Sequence, residues 1–253
     1  MVSVSLWSFC GNLFAQTEGY YYNLNGFYIG SIGESPSVIF LSSNEDFANI
    51  VANREGFAMP LGEASDVFTM LAAVFSETFP DADYYERVGI AFAIRNNNTA
   101  RNADTYMRDM YGYESIRQTT LRIAHVTQNG NPRYSELWNS APAITDPDMA
   151  QTMKAVLFVL ANFELDPTKD AVFWEGINSL RLQYRLHLRK MATGYEVHPE
   201  HNLDTEIESY FYMETTPIGG IVFFRFETTA AIGKTVFSRV HPEFVRVFAA
   251  PRY

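Results

Sequence analysis

The residue whose type and position best fit a catalytic role is Glu77. It ends the segment Asp66–Glu77, in which apolar side chains recur at helical spacing. Burial against apolar neighbours favours the neutral form of a carboxylic acid, and so does the negative end of a helix. A carboxyl group that stays protonated near neutral pH is the general acid that glycosidic bond cleavage needs. Glu77 is therefore a candidate general acid/base; an ordinary solvated Glu at a helix end is the alternative, and the position alone does not decide between the two.

The role of a second carboxylate stays open at this point. Asp81, Asp83 and Glu86 follow Glu77 closely. If one of them faces Glu77, a two-carboxylate hydrolase results, and the separation of the two groups sets inversion or retention. If none does, the N-acetyl or 6-hydroxyl group of the substrate has to attack instead. The single-acid arrangement is slightly favoured.

Aromatic residues are abundant, and several of them could form a sugar-binding surface. Flat rings stack on pyranose faces while the polar tips of Tyr and Trp form hydrogen bonds. The candidates are Tyr111, Tyr113, Trp138, Trp174, Tyr210 and Tyr212. Packing in the core is the alternative role for each of them.

Metal and thiol chemistry are not expected. His198 and His201, with Glu200 between them, have the composition of a metal site, but Pro199 predicts a loop and no helix to align the two imidazoles. Cys10 is the only cysteine, so no intramolecular disulfide can form. We predict no metal and no organic cofactor.

Several helices must position these residues. Asp83 begins a helix whose stretch 88–94 is apolar on every side and therefore buried, with Gly89 marking a close contact. Further helices are predicted at 43–53, 102–110, 146–163 and 176–191. The last of these carries the basic patch 181–190, which we interpret as a solvated helix face.

Short β-prone runs precede and follow the helices. Residues 20–22, 27–29 and 38–41 predict a small antiparallel meander, and 210–213 and 220–226 predict two later strands. The predicted fold is α+β and mainly helical. We expect a small β-rich unit over residues 1–62 and a larger domain over residues 63–253.

Two segments resemble the bacterial cell-wall hydrolases of the spore-cortex-lytic type. That family has an apolar helix ending in a catalytic Glu, as in Val74-Phe75-Ser76-Glu77, and then a helix ending in an apolar-apolar-Asn step, as in Gly89-Ile90-Ala91-Phe92-Ala93-Ile94-Arg95-Asn96. A later segment, Leu165-Asp166-Pro167-Thr168, resembles the family's Asp-Pro-Thr-Gly-Gly-Ala-aromatic segment. The resemblance covers roughly residues 66–175.

The resemblance implies a lysozyme-like fold and cleavage of peptidoglycan glycan strands at muramic acid, by hydrolysis or as a lytic transglycosylase. The segment Met110-Tyr111-Gly112-Tyr113-Glu114-Ser115 occupies the place of the family's Gln-Phe-Ser. We predict a substrate-binding set composed of Tyr113, Glu114, Ser115, Asp166, Thr168, Trp174 and Tyr210.

The chain departs from the family pattern at three places. Thr78-Phe79-Pro80-Asp81 follows the catalytic Glu where the family has Ala-Arg-Gly-Glu. The Gln of Gln-Phe-Ser is displaced or lost. Lys169 and Asp170 stand where two glycines are expected, which supports an alternative hypothesis of a catalytically silent glycan-binding or adaptor domain.

The Tyr- and Gly-rich segment 19–33 resembles the β-hairpin that leads into cell-wall-degrading toxins and secretion effectors. This resemblance implies an antibacterial effector, secreted or delivered into the periplasm of a target bacterium, and a type VI secretion machine is the delivery route that it suggests. A cognate immunity protein is then an expected partner. Residues 1–15 contain no Lys or Arg, so we expect no signal peptide.

Composition narrows the classes of partner. There are 29 Asp and Glu against 19 Lys and Arg, which gives a net charge of −10. A nucleic-acid binder would need a basic surface to neutralise phosphates, so no nucleic-acid partner is expected. No uninterrupted apolar stretch is long enough to predict a membrane span.

Overall fold

The computed structural model describes residues 18–78, 80, 82–127, 130–140, 143–176, 211–215 and 221–240, and it has an α+β fold. Within these ranges the helices are α1 (Asn44–Val51), α2 (Ala64–Glu77), α3 (Tyr84–Ala103), α4 (Thr105–Tyr111), α5 (Ile116–Ile123), α6 (Pro132–Ser140) and α7 (Pro147–Leu160). The strands are β1 (Gly19–Tyr22), β2 (Tyr28–Ile32), β3 (Val38–Ser42), β4 (Ala58–Glu63), β5 (Phe173–Gly176), β6 (Phe211–Thr215), β7 (Ile221–Ile232) and β8 (Thr235–Val240).

Helices α2, α3 and α7 form the centre of the molecule, and each was predicted from its apolar pattern. The starts of α3 and α7 follow from capping chemistry. The Asp83 carboxylate accepts from the Glu86 amide at the start of α3, and the Asp146 carboxylate accepts from the Asp148 and Met149 amides at the start of α7. Helix α2 is apolar on most of its faces and is therefore buried between its neighbours.

Helices α5 and α6 pack on α2, and neither was predicted. Ser115 begins α5 with a reciprocal capping box, in which the Ser115 side chain accepts from the Gln118 amide and the Gln118 side chain accepts from the Ser115 amide. The amide of Arg117 donates to Asp66 Oδ1 over 3.0 Å, which ties the start of α5 to the start of α2. The predicted helix at 102–110 is instead the end of α3 followed by α4, which ends at Gly112.

The N-terminal sheet is not the predicted antiparallel meander. Its strand order is β2-β1-β3-β4; β1 and β2 are antiparallel, β3 and β4 are antiparallel, and β1 and β3 are parallel. Strand β4, which was not predicted, contains Pro60 and Gly62. It lies at the edge of this sheet, where a proline can replace an N–H without losing a ladder hydrogen bond.

A second sheet has the order β5-β8-β7-β6, and all of its pairs are antiparallel. The two predicted later strands correspond to β6 and to the first half of β7. The prediction of a helix from Gly176 was wrong at that residue, which belongs to β5. The remainder of that predicted helix, with its basic patch, lies outside the described residues.

One hydrophobic core joins the first sheet to the helices. Tyr22, Ile39 and Leu41 are buried together with the apolar faces of α2, α3 and α7. Gly89 of α3 makes the close contact expected from the sequence, since a Cβ at this position would lie 2.6 Å from the Phe237 ring of β8. Among the helices in the described ranges, none is both long and apolar enough to cross a bilayer.

Candidate active site

Glu77 is the last residue of α2, as predicted. Ten residues of α2 between Ala64 and Phe75 are buried in the hydrophobic core of the protein. Glu77 lies at the edge of that core and is partly open to solvent. The apolar helix thus carries a carboxyl group from the interior to the surface. This is the environment in which hydration of the charged form is lost while access for a ligand remains.

Three donors meet the Glu77 carboxyl group. Its Oε1 accepts from the backbone N–H of Val126 over 3.2 Å. The backbone N–H of His125 and the side chain of Trp174 also donate to this carboxyl group, and the His125 imidazole acts on it electrostatically. His125 and Val126 belong to a short 3-10 turn, His125–Thr127, that directly follows α5.

The pKa of Glu77 is raised above its ordinary value, and burial is the largest cause. The hydrogen bonds from Val126, Trp174 and His125 and the charge of the imidazole act in the opposite direction, without cancelling the effect of burial. Since burial penalises the ionised carboxylate, Glu77 retains its proton to higher pH than a solvated Glu. A group with this property can donate a proton to a leaving oxygen.

Trp174 is the predicted binding residue that the structure brings to Glu77. It lies on β5, where it pairs with Phe237 of the neighbouring strand β8. Its side chain packs against the main hydrophobic core. Its indole therefore contacts the Glu77 carboxyl group.

Asp166 and Thr168 organise the loop that leads into β5. Asp166 Oδ1 accepts from the Thr168 amide over 2.8 Å and from the Thr168 hydroxyl over 2.6 Å, and Thr168 is fully buried. Asp166 Oδ2 accepts from Asn96 Nδ2 of α3 over 2.8 Å. The Asn96 amide also donates to the carbonyl of Ala171 over 3.1 Å, so the Asp-Pro-Thr segment is in direct contact with α3 at Asn96. The expectation that the helix ends at Asn96 was wrong, since α3 continues to Ala103.

Lys169 and Asp170 adopt an unusual backbone conformation. Their φ angles are 55° and 64°, in the left-handed region that glycine enters most easily. These are the two positions at which glycines were expected. The side chains depart from the expected pattern, whereas the backbone has the conformation that glycines would favour.

The predicted Tyr113, Glu114 and Ser115 lie between α4 and α5. Glu114 forms ion pairs with Arg101 at 2.8 Å and with Arg122 at 3.1 Å, and its side chain is 12% exposed. Ser115 is the N-cap of α5, and Tyr113 is 71% exposed. The contacts of Glu114 and Ser115 are therefore internal, while Tyr113 is open to solvent. Tyr210 lies outside the described residues.

The carboxylates considered as partners of Glu77 have other contacts. Asp83 caps α3, and Glu86 is buried beneath the β7–β8 turn, where it accepts from the Thr235 hydroxyl over 2.7 Å and from the Lys234 amide over 3.3 Å. Burial raises the pKa of Glu86 as well. Asp81 lies outside the described residues.

Sequence reasoning missed His125 and Val126 as site residues. They follow a short helix with few apolar residues, and their contact with Glu77 depends on where α5 ends. The spacing of Ser115 and Gln118 is a capping-box signal, and recognising it would have predicted α5 and the turn beyond it.

No cluster of three or more His, Cys, Asp or Glu in the described ranges has the arrangement of a metal site. The His198–His201 segment is outside those ranges. None of the family models matches the chain, no curated protein matches it, and no solved structure matches it. The functional interpretation therefore rests on the residues of this chain.

Proposed function

We propose that the protein cleaves the glycan strands of peptidoglycan, with Glu77 as the general acid/base of a lysozyme-like domain. The observation that carries this proposal is the Glu77 carboxyl group at the end of a buried helix, with a raised pKa and an indole and an imidazole beside it. Protonated Glu77 would donate its proton to the glycosidic oxygen, and the resulting carboxylate would take a proton from the attacking group.

The attacking group in this proposal belongs to the substrate. Asp83 and Glu86, two of the three carboxylates that closely follow Glu77, accept hydrogen bonds elsewhere. An attack by the N-acetyl or 6-hydroxyl group needs only one protein carboxyl group. The 6-hydroxyl route leaves 1,6-anhydro ends, and attack by water leaves reducing ends.

Two further observations support the assignment to the spore-cortex-lytic type. The Asn96–Asp166 hydrogen bond joins the two segments that carry the resemblance. The left-handed backbone of Lys169 and Asp170 reproduces what two glycines would provide. Delivery as an antibacterial effector, with an immunity protein as partner, rests on the resemblance of segment 19–33 and remains part of the proposal.

The test is digestion of purified peptidoglycan by the wild-type protein and by Glu77→Gln. We expect the wild type to release muropeptides and the variant to lose at least 100-fold in rate, since general acid catalysis contributes about 10²–10⁴-fold. Mass spectrometry of the products distinguishes anhydro from reducing ends, and free stem peptides would reveal an amidase instead. Equal rates for the two proteins would refute the role of Glu77.

A catalytically silent glycan-binding domain is the second candidate. The observation that favours it is the set of three donors on the Glu77 carboxyl group, since such bonds also serve to hold the His125–Thr127 turn in place. In that case the wild type would bind insoluble peptidoglycan and release no new products.

A further inference from the structure

The connection between α2 and α3 follows Glu77 directly, and each of its two ends accepts a hydrogen bond from an arginine side chain. A helix terminus lacks the hydrogen bonds of the interior and frays unless side chains supply partners. A carboxyl group on the last residue of a helix is therefore only as well positioned as the turn that follows it. Thr78 and Ala82 are the described residues near the two ends of this connection.

Arg133 of α6 fixes the first end. Its guanidinium group donates to the carbonyl of Thr78, the residue next to Glu77. The same group lies 4.2 Å from the centroid of the Phe75 ring, inside the last turn of α2. The Arg133 side chain thus contacts the end of α2 at two points, the Thr78 carbonyl and the Phe75 ring.

Arg87 of α3 fixes the second end. Its side chain is completely buried, and it donates to the carbonyl of Ala82 over 3.2 Å and to the carbonyl of Asp148 over 2.9 Å. It also contacts Thr152 of α7. The end of the connection is therefore tied to the first turn of α7.

Asp148 joins the two arginines. Its Oδ1 pairs with Arg87, and its Oδ2 lies 3.6 Å from Arg133. A buried cation that loses its counter-ion is strongly unfavourable, so this carboxylate holds the fully buried Arg87 in position, and it also pairs with the partly exposed Arg133. The set Arg87, Arg133 and Asp148 links α3, α6 and α7 around the connection and is called the connection clamp below.

We propose that Arg133 and Asp148 of the connection clamp are positioning residues for Glu77. This inference rests on the proposed function insofar as Glu77 is the acid of the reaction. The clamp acts on the carbonyl immediately after Glu77, so its loss should move the carboxyl group rather than remove a contact with substrate. Misplacement of a catalytic group by about 1 Å can cost roughly 100-fold in rate.

The test compares Arg133→Met with Arg95→Met, a closely matched control. Arg95 also donates to a carbonyl at a helix end, that of Val159 in α7, and also lies over a ring, 4.4 Å from the Phe92 centroid. We expect Arg133→Met to lower kcat 10- to 100-fold with KM changed less than twofold. Arg95→Met should lower Tm by a similar amount and leave kcat unchanged. Arg133→Lys, which keeps a donor for Thr78, should recover part of the loss.

A second measurement does not depend on activity. The amide of Val126 donates to Glu77, so its hydrogen exchange reports whether the carboxyl group is held in place. We expect this amide to exchange at least tenfold faster in Arg133→Met than in wild type or in Arg95→Met. Asp148→Asn should exchange as fast as Arg133→Met.

The two readouts separate the two proposals. A wild-type protein without cleavage activity, combined with faster Val126 exchange in Arg133→Met, would overturn the proposed function and retain the clamp. Wild-type exchange and wild-type kcat in Arg133→Met would overturn the clamp. An equal fall of kcat in both Met variants would also overturn it, because the effect would then follow general stability.

Discussion

Two opposing effects act on the carboxyl group of Glu77, and their balance determines how the site responds to pH. Burial favours the protonated acid, while donors from Val126, His125 and Trp174 favour the carboxylate. A general acid works while it is protonated, so activity should fall as pH rises through the pKa of Glu77. Each donor lowers the pKa of Glu77, so removing one should move the fall in activity to higher pH.

Trp174→Phe tests this balance. The substitution keeps an aromatic ring and removes the indole donor, so the pKa of Glu77 should rise further. We expect the alkaline limb of the pH profile of kcat/KM to shift to higher pH relative to wild type. If stacking on a sugar were the main role of Trp174, the substitution would raise KM and leave the limb where it is.

The left-handed residues after Thr168 give a prediction about stability. A non-glycine residue in this conformation costs roughly 1–2 kcal/mol of stability, which a glycine would recover. The greater freedom of glycine in the unfolded chain offsets roughly 0.5–1 kcal/mol of that gain. We therefore expect Lys169→Gly to stabilise the protein by about 0.5–1 kcal/mol, measured by urea unfolding. Lys154→Gly, inside α7, is the control and should destabilise by about 1 kcal/mol.

At the scale of elements, α5 decides where the turn His125–Thr127 meets Glu77. Its start is fixed by the Ser115 capping box and by the bond from Arg117 to Asp66. Its end carries His125 and Val126 to the end of α2. A helix of eight residues is marginal by itself, so capping and packing contribute most of its stability.

Ser115→Ala separates the capping role from the predicted binding role. Loss of an N-cap typically costs about 1 kcal/mol, which corresponds to a fall in Tm of roughly 2–4 °C for a protein of this size. We expect this fall in a thermal melt, with KM for peptidoglycan unchanged. A raised KM at constant Tm would instead support Ser115 as a substrate contact.

The elements that could be predicted are those with long apolar patterns or clear caps. The buried stretch 88–94 and the Asp146-Pro147 start led to α3 and α7, and Gly89 led to a contact that the structure contains. The parallel pairing of β1 with β3 could not be predicted, since pairing depends on tertiary contacts that strand patterns do not encode. Glu77 and Trp174 stay predictions as site residues; the structure brings them into contact, whereas His125 reaches Glu77 only through tertiary packing.

At the scale of the whole molecule, the first sheet is built onto the helices. Gly26, with φ of 82°, sits against α7 so closely that a Cβ would lie 1.9 Å from the carbonyl of Ala150. That carbonyl is two residues beyond Asp148, so the β1–β2 turn packs beside the start of the helix that carries Asp148. The proposed boundary after residue 62 stays a prediction, and the shared core crosses it.

Gly26→Ala should therefore destabilise the sheet and the helices together. We expect a loss of roughly 2 kcal/mol or more, because a backbone atom cannot move aside as a flexible side chain can. Thermal unfolding followed by far-UV and by near-UV circular dichroism should show one common transition at lower temperature. Gly112→Ala is the control, with φ of 74° and no atom within 4 Å of the added Cβ, and should cost less. Two separate transitions would contradict the shared core.

The contact between α3 and the β7–β8 turn also sets the order in which the chain can complete its fold. Glu86 finds its hydrogen-bond partner 149 residues later, at Thr235, and the Phe237 ring covers Gly89 from the same hairpin. Contacts over such separations form slowly, and a chain still on the ribosome has not yet made the second partner. Since β5, with Trp174, pairs with β8, the Glu77 site is complete only after β8 has been synthesised. A nascent copy of this protein would therefore lack the complete site until β8 has left the ribosome.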